Sequence, residues 1–151
     1  MAQQIQTYPS QIVERIFYIR TQKIMFDFDL AQMYGVETRA LKQAVRRNLT
    51  RFPKDFMFVL NRKEVTNLVS QNVIPSKSML GGATPMVFTE QGVSMLSSVL
   101  KSRQAVKVNI SIMRAFVQMR QFLTENKELA RKVQELEKKY DSNFELVFEA
   151  I

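Results

Sequence analysis

The sequence predicts an α+β domain: a small β-hairpin and a helix-turn-helix core with short strands, followed by a long C-terminal helix. Three observations lead there. Residues 29–54, DLAQMYGVETRALKQAVRRNLTRFPK, join helical apolar spacing, a glycine at a turn and a run of positive charge. Brief apolar runs near 16–19, 24–26, 56–60 and 86–88 have strand length and are flanked by turn residues. From Gln104 onward an apolar heptad repeat sets in.

Composition bounds the function. The chain has 151 residues, 46% apolar and 24% charged, which suits one domain with a core plus an extension. Net charge is +8, and it is unevenly placed: 17 Lys/Arg against 7 Asp/Glu up to residue 120, then 5 against 7. A basic body favours polyanions. There is no cysteine and no histidine. Disulfides, Cys/His zinc sites, thiol nucleophiles and histidine acid–base chemistry are excluded. The carboxylates of the body are few, and Asp27, Asp29, Asp55 and Glu90 among them lack two-metal spacing, which argues against a nuclease. No catalytic residue, metal or cofactor is expected. MAQQIQTYPS carries no basic-then-apolar signal pattern, and no apolar run reaches bilayer length. A soluble cytoplasmic protein is expected.

Residues 1–11 read as a flexible N-terminus. Ile16–Ile19 becomes strand-like, Thr21-Gln22-Lys23 can turn, and Ile24–Phe26 can return. The hairpin then feeds a helix at Asp27–Asp29. These acids could hold a metal or cap the helix; with no third ligand nearby, capping is the reading kept.

Leu30, Ala31, Met33 and Tyr34 share helical spacing, with small Ala31 where two helices would cross. Gly35 can end the helix at positive φ. Glu37 or Thr38 can cap the next one. Leu41, Ala44, Val45 and Leu49 give that helix an apolar stripe, and Pro53 stops it. Arg39, Gln43 and Arg46 fall on another face, with Lys42 beside them. Arg39, Lys42, Arg46, Arg47, Arg51 and Lys54 are six cations with no acid among them. Two readings fit: a helical hairpin with a solvated basic face, or a helix-turn-helix whose second helix lies in a nucleic-acid groove.

FMFVL at 56–60 reads as a buried strand, and Asn61 can cap a helix through Ser70 with Val65, Leu68 and Val69 inward. Residues 71–85 form a long loop whose Gly81-Gly82 lacks a P-loop context and suits a wing, with Lys77 as a phosphate contact. Met86–Phe88 is a strand. Thr89 caps the following helix, in which Gly92 suggests close packing, and Lys101–Arg103 is a break.

The heptad stripe then runs Ala105, Val108, Ile112, Ala115, Met119, Phe122, Asn126, Leu129, Val133, Leu136, Tyr140, Asn143 and Val147. Residues 124–139 keep only this stripe apolar, which fits a coiled coil. Met119, Phe122, Asn126, Leu129, Val133, Leu136 and Tyr140 are the candidate dimerisation residues, Asn126 fixing register. The alternative is an amphipathic helix folded back on its own domain. The tail DSNFELVFEAI ends without a helix stop, and the 124–151 extension is expected to continue beyond it.

DLAQMYGVETRALKQAVRRNLTRFPKDFMFVL at 29–60, FTEQGVSMLSSVLKS at 88–102 and AVKVNISIMRAFVQMRQFL at 105–123 resemble the phage and bacterial ORF-six-N (open reading frame six, N-terminal) domain, related to KilA-N and Bro-N DNA-binding domains. The resemblance spans residues 12–123. It implies an α+β DNA-binding domain of a mobile element, in regulatory or antirepressor-like proteins. Relatives often carry a basic Gly-rich loop where this chain has SKSMLGGATPM, with Lys77 as its one cation.

Two functions follow as expectations. One is a dimeric regulator of double-stranded DNA. Arg39, Gln43 and Arg46 would read bases, and Lys42, Arg47, Arg51 and Lys54 would grip phosphate, with Thr38 at the helix start. The other is an antirepressor-like module that captures a repressor or other regulatory protein through its C-terminal helix.

Overall fold

In the computed structural model, which describes residues 9–74, 76, 83–140 and 146–147, the core is organised by strand alternation. Strands β1 (Phe17–Ile19), β2 (Gln22–Phe26), β3 (Met57–Val59), β4 (Met86–Phe88) and β5 (Leu146–Val147) form one sheet in the order β3-β4-β2-β1-β5. Every pairing is antiparallel, with Phe17 opposite Ile24, Met25 opposite Phe88 and Phe58 opposite Val87. Neighbouring residues face opposite sides. Tyr18, Met25, Met57, Met86 and Phe88 join the larger apolar cluster, whereas Ile19, Ile24, Phe26 and Val87 join a second one across the sheet. Both faces are covered, so the strands read as continuous apolar runs rather than as alternating ones.

The smaller cluster is closed by α4 (Arg62–Ser70), through Val65 and Leu68. Asn61 begins this helix with a full capping box: its side chain accepts the Glu64 N–H at 2.8 Å, and Glu64 accepts the Asn61 N–H at 2.9 Å. Phe26 stacks on Phe28 at 4.9 Å between centroids within the same layer. The larger cluster is closed by α1 (Pro9–Val13), α2 (Asp27–Tyr34), α3 (Thr38–Arg46), α5 (Glu90–Leu96) and α6 (Arg103–Glu125). Mixed α+β architecture with a long C-terminal helix is therefore the fold, as the sequence predicts.

Local details differ from the sequence reading. The hairpin turns at Arg20-Thr21, both at positive φ (52° and 63°), one residue earlier than expected. Arg20 is anchored there by its side chain: Nε donates to Glu64 at 2.8 Å, and the guanidinium lies 4.6 Å from the Phe58 ring centroid. β3 is an edge strand, with Val59 exposed rather than buried. Thr89 caps α5 by accepting the Gly92 N–H, but α5 ends at Leu96, short of the expected Ser102. Gly92 does mark close packing, since an added Cβ would lie 1.9 Å from the Phe56 carbonyl oxygen.

The largest difference lies at Asn126. The expected continuous helix is broken there, and α7 (Lys127–Tyr140) follows as a separate helix. Asn126 leaves helical geometry (φ −116°, ψ 73°), and both its backbone N–H and its side-chain amide donate to the Phe122 carbonyl. Asparagine competes with the helix for backbone acceptors, and here it ends the helix instead of setting a coiled-coil register. Met119 and Val133 are buried in the chain's own core and Leu129 packs against it. The fold-back alternative thus describes α7, and these residues are not a free dimer seam. Of the described stripe residues after 119, Phe122, Asn126 and Leu136 stay exposed. The Tyr140 side chain, Lys77, the Gly81-Gly82 wing and most of the tail lie outside the described residues.

Candidate nucleic-acid interface

The helix-turn-helix is built on a left-handed glycine. Gly35 at φ 73° ends α2, its N–H donating to the Gln32 carbonyl at 3.2 Å while the Val36 N–H donates to the Ala31 carbonyl at 3.0 Å. This is the Schellman pattern, and it fixes the angle at which the chain leaves α2. Val36 packs on the core and Ala31 is 1% exposed, which lets α2 and α3 approach. Glu37 occupies the N-cap position of α3 without a side-chain capping bond.

α3 is strongly two-sided. Leu41 and Val45 are buried. Arg39, Gln43 and Arg46 sit four and three residues apart on the opposite, exposed face, with Arg47 beside them and Thr38 half-exposed at the helix start. Ala44 is only partly buried, and the helix ends at Arg46 rather than at Pro53. A single 3-10 turn, Leu49–Arg51, follows, in which Leu49 is 54% exposed instead of completing the apolar stripe. Arg51 and Lys54 are exposed beyond it. Five cations are therefore exposed on α3 and the segment after it; Glu37 lies 3.9 Å from Arg39 at an exposed position, and the exposed Asp55 follows Lys54. An α-helix with its side chains is about 10–12 Å across, which fits the roughly 12 Å width of a DNA major groove.

Lys42 does not belong to that surface. It is 6% exposed, and its ammonium lies 3.7 Å from Asp27 Oδ2 and donates to the Thr84 carbonyl at 2.8 Å. The expected phosphate contact is thus an internal tie from α3 to the start of α2 and the segment before β4. Asp27 also accepts the backbone N–H groups of Met86 (2.9 Å) and Phe28 (2.7 Å). The N-cap position of α2 is Phe26, so Asp27 and Asp29 are not its caps. Both are buried acids of the first turn. Burial pushes the Asp27 carboxyl above its ordinary value, and the Met86 N–H and Lys42 pull against it. Asp29 is pushed up to about 6, again chiefly by burial, although Arg15 at 2.9 Å opposes the shift. Among the described residues no cluster has the composition of a metal site.

A second support comes from α6. The Tyr34 hydroxyl donates to Asn109, whose amide donates to the Val93 carbonyl at 3.0 Å. Gln104 donates to the Met33 carbonyl at 3.2 Å. Burial raises the Tyr34 phenol, so it remains a donor across the physiological range. The sequence places Tyr34 on the apolar stripe of α2 but does not show its hydroxyl bond, nor the roles of Asn109 and Gln104. Their one visible signal was a polar residue, Asn109, between the apolar positions 108 and 112 of a helix with few polar inward sites.

These features define a class: an α+β domain that presents a helix-turn-helix with an exposed, uniformly basic second helix. The family follows from comparison. Residues 14–99 match the ORF6N domain, and the chain belongs to that family, which is associated with phage-type regulatory proteins. No curated protein and no solved structure matches the chain. No helix among the described residues is long and apolar enough to cross a membrane.

Proposed function

We propose that this chain is a DNA-binding regulator of phage or mobile-element origin that acts in the cytoplasm on duplex DNA. The observation that carries the reading is the outer face of α3 and its extension, where Arg39, Arg46, Arg47, Arg51 and Lys54 stand exposed with Gln43 among them. In this reading α3 enters the major groove. Arg39 and Arg46 read guanine edges bidentately and Gln43 reads adenine. Arg47, Arg51 and Lys54 hold phosphates, and Thr38 sits at the groove edge. A homodimer joined through the C-terminal region would use the exposed Phe122 and Leu136, because Met119, Leu129 and Val133 are engaged inside the chain.

The test is fluorescence anisotropy with a short random duplex at low and near-physiological salt. Wild-type affinity should fall steeply with salt, and Arg46→Ala should bind more weakly. Arg51→Ala should weaken all sequences alike and reduce the salt slope by about 1. No binding at low salt, or an unchanged Arg46→Ala, refutes this placement of α3.

A further inference from the structure

The long helix α6 carries a second apolar stripe that the fold does not use. Its inner stripe, Ala105, Val108, Ile112, Ala115 and Met119, is buried in the core. On the opposite side Val106, Ile110 and Val117 are 45%, 47% and 39% exposed, and Met113 is partly buried beside them. The steps from 106 to 110 to 113 to 117 are four, three and four residues, the spacing of a helix-pairing seam. A water-facing helix side normally carries polar residues there. Met113 also lines a groove of about 610 Å³ between α5 and α6, together with Phe56, Glu90, Ser94, Met95 and Arg120. Methionine and small serine side chains suit a surface that accommodates a partner.

Charge decides the occupant. Arg103, Lys107 and Arg114 flank the stripe, all exposed and none ion-paired with a described carboxylate. Glu90, which lines the groove, is engaged by Arg120. A second copy laid on this face would set these cations against their own counterparts with no acid to answer them. Duplex DNA would meet the cations but leave valine and isoleucine without an apolar partner. An amphipathic helix with an apolar seam and acidic flanks answers both features.

We propose that the outer face of α6, with its groove against α5, is a docking site for an acidic amphipathic helix of another protein. The seam of that helix packs on Val106, Ile110 and Val117, and its carboxylates meet Arg103, Lys107 and Arg114. The site is separate from the basic face of α3, so it stands or falls independently of DNA binding.

The test uses the full chain and a labelled three-heptad peptide with leucine at the first and fourth heptad positions and glutamate at the flanking ones. Its controls are a scrambled peptide and one with lysine for glutamate. Anisotropy should show the acidic peptide binding at least tenfold tighter than either control. Ile110→Glu, at an exposed position, should lower that affinity at least tenfold while leaving the urea midpoint unchanged. Arg114→Glu should lower it several-fold and raise affinity for the lysine peptide. Equal binding of acidic and scrambled peptides overturns the proposal, as does an Ile110→Glu protein that binds like wild type. So does sedimentation that shows a wild-type dimer dissolved by Ile110→Glu, which would assign the face to a second copy. A loss of duplex DNA affinity in Ile110→Glu equal to that in Arg46→Ala would assign it to DNA.

Discussion

Lys42→Met separates the two roles that a cation on α3 can have. The Lys42 ammonium is 3.7 Å from the Asp27 carboxylate and 2.8 Å from the Thr84 carbonyl oxygen, and both side chains of the ion pair are nearly inaccessible. At an effective dielectric of about 20, two unit charges at that separation attract by roughly 4 kcal/mol. Methionine keeps the apolar stem and removes the charge. Asp27 would then retain only the backbone N–H groups of Met86 and Phe28. Breaking a buried pair in this way costs about 3–5 kcal/mol, because the stranded charge stays desolvated. With a urea m-value of about 2 kcal/mol/M, the midpoint should fall by about 2 M at pH 8. Burial already raises the Asp27 carboxyl, and loss of Lys42 raises it further. The stranded carboxylate can therefore take up a proton, and the deficit should shrink at pH 5. Asp27→Asn in the Lys42→Met background should recover part of the loss at pH 8. The readouts are urea unfolding by circular dichroism and the salt slope of duplex binding in the folded protein. A phosphate-gripping Lys42 gives the opposite result: an unchanged midpoint and a slope lower by about 1. That pair of results would refute the buried tie.

Two further outcomes test other parts of the fold. Gly92→Ala places a methyl group against the Phe56 carbonyl, which belongs to the backbone and cannot swing aside, so it should cost about 3 kcal/mol in a urea melt; a loss under about 1 kcal/mol would mean that α5 does not pack there. Asp29, raised to about 6 by burial, holds its proton in the folded state more tightly than in the unfolded one. The stability it contributes is fully present below about pH 4 and is lost as pH rises through about 6, roughly 3 kcal/mol in all. Asp29→Asn should flatten the stability profile between pH 4 and 6.5, and an unchanged slope would contradict the burial of this carboxyl. The lowered Glu64, opposed by burial but held down by Arg20 and the Asn61 N–H, acts in the other direction and at lower pH.

What was legible in the sequence is what short stretches determine. Asn61 and Glu64 lie three residues apart, and their capping box is written in that spacing. Thr89 before α5, and Gly35 at the end of α2, work the same way. The exposed face of α3 was legible because Arg39, Gln43 and Arg46 obey helical periodicity. Lys42 was not, because its position depends on Asp27, fifteen residues upstream, and on Thr84, which no local pattern connects to it. The break at Asn126 was hidden for a related reason. The heptad register passes through Asn126 unbroken, and polar residues occur at such seams in real coiled coils. Only the burial of Val133 in the chain's own core shows where the stripe is spent.

The family match stops at residue 99, yet the core does not close there. Ile112, Ala115 and Phe116 of α6 are buried in the same cluster as Leu30, Leu41 and Val45 of the helix-turn-helix. Asn109 receives the Tyr34 hydroxyl, and Gln104 caps the Met33 carbonyl at the end of α2. The basic helix is therefore held from two sides: Lys42 ties it inward to Asp27, and α6 braces the end of α2 from which its turn departs. In the proposed role α3 would gain from such bracing, because side chains that read base edges must be presented within a fraction of an ångström. The bracing also joins the two surfaces of the chain. α6 supports the basic head through its inner face while its outer stripe stays open, so whatever occupies that stripe rests on the helix that braces the head.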